Sequence, residues 1–384
     1  MKQPVIELIS IGDELLKGAT LNTNAHFLGG EISNAGWQVG LMTTVSDEAS
    51  ALQACIKQAS QRAEIVIATG GLGPTLDDQT LKHADQILPG NKQELPNSVG
   101  TASGWIYKDA GVILLPGVPA EMKAMWKQIL PFIEERLKNV EKVHSRDVVF
   151  ALLPELAIDP ILRELQKECP GVQFGIYPSY GTVTVTLRGP NAEILDAPIA
   201  KLAEAFPTNI MAYHRTDTEE VLHQLLIERK STLALAESCT GGAVASRITA
   251  LPNSSGYFLG SAVTYSNAVK MHLLKVSSST LESEGAVSEA TAREMLDGVF
   301  AQFSCDYGIA ITGVAGPSGG TEQKPVGTVW VAVGKRGTRP YVGRVPWFKP
   351  SHGRHVIIQG TATYVLNVLW RYIQHDTFPE DGNG

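Results

Sequence analysis

The chain has 384 residues, more than one hydrophobic core normally organises, so two or three domains are expected. Hydrophobic residues make up 43% and charged residues 18%, an ordinary globular balance that argues against large disordered regions. The formal charge is −7 and the sequence reads without a net basic domain or stripe, which argues against direct nucleic-acid binding; Arg146 and Lys123/Lys127 read as solvated helix faces.

The opening MKQPVIELISIGDE passes straight into a strand-like segment with no signal-peptide apolar core, and no apolar run is long enough to span a bilayer. Four widely spaced cysteines (Cys55, Cys169, Cys239, Cys305) form no CxxC pair, and the nine histidines form no HExxH pair. Reduced thiols in a cytoplasmic protein without a membrane partner are therefore expected, not a disulfide framework or a zinc site.

The first region alternates strands and helices. Strands are expected at 5–11, 38–45, 65–69 and 112–115, and helices at 23–35, 48–62 and 120–137. That alternation predicts a parallel sheet with helices on both faces. Three glycine-containing loops follow its strands: Gly12-Asp13-Glu14, Gly70-Gly71-Leu72-Gly73-Pro74-Thr75 with Asp77-Asp78 beyond, and Gly117 within Leu115–Pro119. Loops at the carboxyl ends of parallel strands line one crevice, and glycines let backbone N–H groups approach a phosphate. Carboxylates there would repel a phosphate unless a divalent cation intervened, so Glu14, Asp77 and Asp78 are expected metal ligands. Tight turns carrying exposed acids are the plainer alternative.

The second region is expected to hold a strand at 146–152, a helix at 158–167, a hairpin of 171–177 and 182–188, and a helix at 192–205. It carries no catalytic constellation and reads as a connector or dimerisation module. The third region returns to strand–helix alternation. Its helices are expected at 218–229, 243–250, 288–303 and 355–372, and its strands at 231–236, 257–265, 307–311 and 326–333. The fold class is therefore α/β: two αβα parallel-sheet domains, 1–140 and 216–375, joined by a small α+β module at 146–212. The polar end DTFPEDGNG reads as frayed.

AESCTGG, Ala236–Gly242, lies where a strand hands over to a helix. A nucleophile on such a turn is exposed, and the helix start favours negative charge. Thr240 and the N–H groups of Gly241 and Gly242 would equally suit a phosphate, and a plain capped turn is also consistent. Tyr265 and Lys270 follow the next strand, Thr312, Gly313 and Gly316 lie in a later glycine loop, and Lys324–Val329 leads into another strand.

These segments resemble the CinA family. GDELLxGxxxNTN, TGGLGPTxDDxT, NxxGTAxG and LPGVPxEM stand here as Gly12–Asn24, Thr69–Thr80, Asn97–Gly104 and Leu115–Met122. AESCTGG, PxSSxxF, VxYSNxxK, GAVS, TGxAGPxGG and KPVGTV stand as Ala236–Gly242, Pro252–Phe258, Val263–Lys270, Gly285–Ser288, Thr312–Gly320 and Lys324–Val329. The resemblance implies a MoaB/Mog-like N-terminal domain that binds nucleotide through Gly12, Asp13, Glu14, Asn24, Gly70, Gly71, Gly73, Thr75 and Gly117, with metal-dependent hydrolysis of ADP-ribose. It further implies a C-terminal amidohydrolase that needs no cofactor and converts nicotinamide mononucleotide to nicotinate mononucleotide and ammonia, in a homodimer.

Ser238 would be its nucleophile, with the base drawn from Tyr265 and Lys270 because no His or Asp stands in the shared motifs. Thr312, Gly313 or the Ser238–Thr240 turn would hold the oxyanion, and Thr240–Gly242 the phosphate. Cys239 competes with Ser238, and Glu237 either orients Lys270 or caps the helix. Other readings are molybdopterin-type cofactor binding and a non-catalytic scaffold in competence or DNA damage.

Two departures from the pattern stand out. Leu81–Pro96 is shorter than the family's stretch, so a helix and part of the sheet edge are expected to be missing. The family's GDRxxVRxxA appears as Ser351–Gln359, with Arg354 retained and Ile357 and Ile358 where a second arginine is usual, which predicts weaker phosphate anchoring.

Overall fold

The computed structural model describes residues 5–75, 78–88 and 90–379. They form two compact units, one within 5–145 with 188–192 and the other 146–187 with 193–379.

In the first unit, β1 (Ile6–Ile11) is buried along its whole length, as a central strand covered on both faces must be. Its even-numbered core residues Ile6 and Leu8 join one cluster, and Ile9 and Ile11 join the cluster on the opposite face. After the short α1 (Asp13–Leu16), α2 (Thr23–Asn34) starts where the Asn22 side chain accepts from Ala25 N–H. Then follow β2 (Val39–Val45), α3 (Ala49–Arg62), β3 (Ile65–Thr69), α4 (Thr80–Ile87), β4 (Lys92–Leu95), β5 (Gly104–Tyr107), β6 (Val112–Leu115) and α5 (Pro119–Arg136). The sheet order is β2-β1-β3-β6-β5-β4. β2, β1, β3 and β6 run parallel, whereas β5 and β4 are antiparallel. The segment 81–96, expected to lack a helix and part of the sheet edge, holds most of α4 and the edge strand β4.

The second unit opens with a four-stranded sheet ordered β10-β7-β9-β8, from β7 (His144–Ala151), β8 (Gln173–Ser179), β9 (Thr182–Gly189) and β10 (Ile210–Ala212). The hairpin expected at 171–188 is β8–β9. Helices α6 (Glu155–Glu168) and α7 (Asp196–Ala205) accompany these strands, and Ile158, Leu162, Leu165 and Leu202 join Val183, Val185 and Leu187 in one small core.

Beyond α8 (Thr218–Glu228) lies the third sheet, ordered β12-β11-β13-β14-β15. Its strands are β11 (Leu233–Glu237), β12 (Phe258–Val263), β13 (Tyr307–Gly313), β14 (Val329–Lys335) and β15 (Tyr341–Arg344). The helices are α9 (Ala243–Thr249), α10 (Asn267–Leu274), α11 (Ser278–Ser283), α12 (Glu289–Gln302) and α13 (Arg354–His375). β12, β11 and β13 are parallel; β14 and β15 are antiparallel, so this sheet too is mixed and not wholly parallel.

The alternation of β11 sorts its neighbours. Leu233 and Leu235 pack with Val244 and Ile248 of α9 and with the long α13, whereas Ala234 and Ala236 lie under α10 and α12. The chain therefore leaves β11 over one face to reach β12, then returns over the other face to β13. Such a switch opens a crevice at the carboxyl end of β11. AESCTGG occupies that end.

Candidate active site

Ser238 follows β11 directly and is nearly buried, at 8% exposure. Lys270 sits in the first turn of α10, whose start is capped by the Ser266 side chain accepting from Val269 N–H. Its side chain is 1% exposed, so the flexible stem is fixed by packing. Lys270 Nζ lies 3.0 Å from Ser238 Oγ and donates to the Thr264 carbonyl at 2.7 Å. No acidic side chain bonds to this ammonium among the described residues. Burial therefore dominates and holds the lysine below its ordinary value, with the adjacent Cys239 thiol opposing weakly. Burial thus favours the neutral amine, the form that can accept a hydroxyl proton.

Glu237 is fully buried and caps the following helix. One oxygen accepts from Gly242 and Val244 N–H at 3.0 and 3.2 Å; the other accepts from Ala245 N–H at 3.0 Å and Ser261 Oγ at 3.2 Å. Gly241 and Gly242, at φ +61° and +101°, let the chain fold back over that carboxylate, a path unfavourable to any residue with a Cβ. Of the two roles weighed for Glu237, the structure shows the cap, and it has no bond to Lys270.

Several of the expected site residues bond other partners. Gly242 N–H is held by Glu237, and Gly241 N–H donates to the Ser238 carbonyl at 3.1 Å, so neither donor stands ready for a phosphate. Thr312 is buried and its hydroxyl donates to the Ala286 carbonyl at 2.6 Å. Gly313 closes β13 with Thr328 and Val329 so near that a Cβ would approach them within 3 Å, and it reads as a packing position. Tyr265 is 62% exposed, and its hydroxyl accepts from Arg354 Nη2 at 2.9 Å instead of bonding Ser238. Arg354 also donates through Nη1 to the Gly316 carbonyl at 2.8 Å, joining the loops after β12 and β13.

Cys239 packs into the core at 6% exposure. Burial pushes its thiol up to about 12, against the opposing charges of Lys270 and Arg354. A thiol so protonated is a poor nucleophile at neutral pH. Two buried hydroxyls, Thr240 Oγ1 and Thr264 Oγ1, have no hydrogen-bond partner among the described residues.

In the first unit, the three glycine loops converge as expected. Gly70, at φ +119°, lies so close to the Ile11 carbonyl that a Cβ would approach it to 2.3 Å, and a Cβ on Gly117 would come 3.3 Å from Gly70. Asn24 Nδ2 donates to the Gly117 carbonyl at 2.8 Å, and its buried Oδ1 has no partner among the described residues. The acids are more dispersed than expected. Asp78 accepts from Thr75 N–H at 3.0 Å, Asp13 pairs with Lys17 at 3.1 Å, and Asp77 lies outside the described residues. Glu14 instead folds back towards Gly12. Among the described residues no three His, Cys, Asp or Glu gather as a metal-ligand set. The Gly71 carbonyl accepts from Thr80 N–H at 3.0 Å, and Gly73 abuts Asp78.

The sequence reading missed α10 itself, although Ser266 followed by a helical apolar pattern is a legible start signal. It also missed the bridge from Arg354 to Tyr265, which joins residues 89 apart.

Residues 215–373 match the family model described as "CinA C-terminal domain", and residues 7–135 match "Probable molybdopterin binding domain". Residues 142–215 match "FAD synthase, middle domain". A "CinA-like protein" of Desulforapulum autotrophicum is 35% identical over 379 residues, covering 85% of this chain and 89% of its own. Another of Acaryochloris marina is 33% identical, covering 96% of this chain and 98% of its own. That alignment runs over 416 positions, more than this chain's 384 residues, so the relative carries residues that are missing here. Among solved structures, the competence damage-inducible protein A of Klebsiella pneumoniae is 33% identical, covering 42% of this chain and 100% of its own, with a TM-score of 0.39.

Proposed function

The chain belongs to the CinA family, and from that premise we propose that its C-terminal domain hydrolyses the carboxamide of nicotinamide mononucleotide to nicotinate mononucleotide and ammonia. The observation that carries this reading is the buried contact of Lys270 Nζ with Ser238 Oγ at 3.0 Å, at the crevice of the third sheet.

Neutral Lys270 takes the hydroxyl proton while Ser238 Oγ attacks the carboxamide carbon. Collapse of the tetrahedral adduct breaks the C–N bond, and the lysine's proton leaves with the nitrogen as ammonia. Water then attacks the acyl ester, giving its proton to Lys270, and the serine hydroxyl is restored as the carboxylate departs. The Thr264 carbonyl fixes the lysine throughout. With Thr312 committed elsewhere, the Ser238–Thr240 turn is assigned the oxyanion, and the unpartnered Thr240 hydroxyl adds a donor there. Arg354 supplies the cation for the substrate phosphate, and Tyr265 positions it. No step requires a cofactor.

Ammonia release from nicotinamide mononucleotide by the purified chain, compared with Ser238→Ala, tests this reading. Retained release in the serine variant sinks it, and no release by either protein favours the scaffold reading.

For the N-terminal domain we propose a small-molecule ligand at the loops of Gly12, Gly70 and Gly117, with the buried Asn24 Oδ1 accepting from it. ADP-ribose and a pterin are the two ligands to compare, by which of them raises the melting temperature. The described acids do not by themselves fit a metal, so no hydrolytic step is derived for this domain. Self-association is proposed as well. Leu259, Val263, Val269, Met271 and Leu273 are all exposed on the edge strand β12 and α10, and a monomer in sedimentation would refute it.

A further inference from the structure

We propose that the C-terminal domain carries a second ligand site, a cleft between α12 and the β14–β15 edge that takes a nucleoside diphosphate. This inference does not rest on the amidohydrolase reading. From residue 323 to 375 the sequence holds eight lysines and arginines and no aspartate or glutamate, within a chain of net charge −7. The fold turns that run into a concave surface. A cleft of about 860 Å³ is lined by Arg293 of α12, Trp330 of β14, Arg344 of β15, and Arg339 and Tyr341 where β15 begins. A neighbouring cleft of about 610 Å³ shares Arg293, Trp330 and Arg344 and ends at Glu284 and Lys324, whose ammonium is spent on the Glu284 carbonyl. Sites for small molecules have this scale.

Which charges are free decides the ligand. Glu289 is paired with Arg293 at 3.0 Å, and Glu294 is held by Ser277 N–H and the Thr280 hydroxyl. Arg336 is spent on the carbonyls of Phe303 and Cys305. By contrast, Arg339 has no hydrogen bond or ion pair among the described residues, and Arg344 makes one long bond, 3.4 Å to the Thr328 hydroxyl. Two guanidinium forks with unspent donors suit phosphate oxygens, which they can grip in bidentate fashion. Trp330 stands opposite Arg344 in the β14–β15 register, so its half-buried indole lies beside the cationic end. An aromatic face next to an anion grip selects a flat ring joined to a phosphate group, which neither inorganic phosphate nor an acidic peptide offers.

The test titrates the full chain with ADP by calorimetry, alongside Arg339→Ala/Arg344→Ala and Trp330→Phe, all checked for unchanged melting temperature. The double variant is expected to bind ADP at least tenfold more weakly at one site. Trp330→Phe is expected to lose the ADP-induced change in tryptophan fluorescence while keeping its fold. No binding of ADP, or an isotherm unchanged in the double variant because all ADP sits on the N-terminal domain, overturns the proposal. So does inorganic pyrophosphate that binds as tightly as ADP, which would remove the ring from the recognition. Displacement of ADP by an oligothymidylate with affinity rising with its length would overturn it too, by making the cleft a nucleic-acid groove.

Discussion

Replacing Lys270 by methionine keeps a long apolar stem in the same cavity and removes only the amine. The wild-type amine touches two groups, Ser238 Oγ at 3.0 Å and the Thr264 carbonyl at 2.7 Å, so the variant loses the proton acceptor without vacating the packing. A positioned general base contributes about 10²–10⁴ in rate, which is roughly 2.7–5.4 kcal/mol at 1.36 kcal/mol per tenfold. Ammonia release by Lys270→Met should fall by that factor in kcat, with KM little changed. Stability should move the other way. Burial lowers the folded-state lysine from its ordinary 10.5, so folding of the wild type is penalised below that depressed value and the penalty fades as pH rises to about 10.5. The stability of Lys270→Met relative to wild type should therefore shrink as pH climbs through that window. The wild-type rate should rise with pH over the range where Lys270 loses its proton. A kcat within tenfold of wild type, or a rate that falls as pH rises from neutrality, would refute the reasoning.

Cys239→Ala should retain amidase activity, and iodoacetamide at pH 8 should leave the wild type active, because a buried thiol pushed up to about 12 offers almost no thiolate; inactivation would reopen the cysteine. Glu237→Gln should lower stability by about 1–3 kcal/mol in urea unfolding, since charged acceptor bonds to Gly242, Val244 and Ala245 N–H are weakened. Thr312→Val should cost about 1 kcal/mol of stability through the lost bond to Ala286 yet keep kcat within a few-fold, whereas a hundredfold loss would return Thr312 to the oxyanion role. Arg354→Ala should raise KM for nicotinamide mononucleotide towards that of its nucleoside, and equal KM values for both substrates in the wild type would show that Arg354 does not hold the phosphate.

The buried central strands were legible in the sequence because their burial leaves a plain signature. Ile65–Thr69 and Val112–Leu115 are short apolar runs between turn residues, and both are observed with those bounds. Edge strands are less legible. Lys92–Leu95 is three-quarters polar and exposed, as an unpaired edge must be, and it shows no apolar alternation. The antiparallel edge β15 is likewise too short and mixed to announce itself. In the site, the pair of Ser238 and Lys270 was visible from their motifs, but their partners were not. Tyr265 looked equally suited to activate the serine until tertiary structure turned its hydroxyl to Arg354. Glu237 could have served the lysine, and only the left-handed turn at Gly241–Gly242 decides that it caps α9. The basic run from 323 to 375 was hidden by averaging charge over the whole chain.

The most direct test of the central claim is ammonia release from nicotinamide mononucleotide by the purified full chain, with and without a chelator, set beside Ser238→Ala. Release at the same rate in both conditions is expected for the wild type, and loss of release in the serine variant. Release that persists in Ser238→Ala, or that disappears with the chelator, would contradict it.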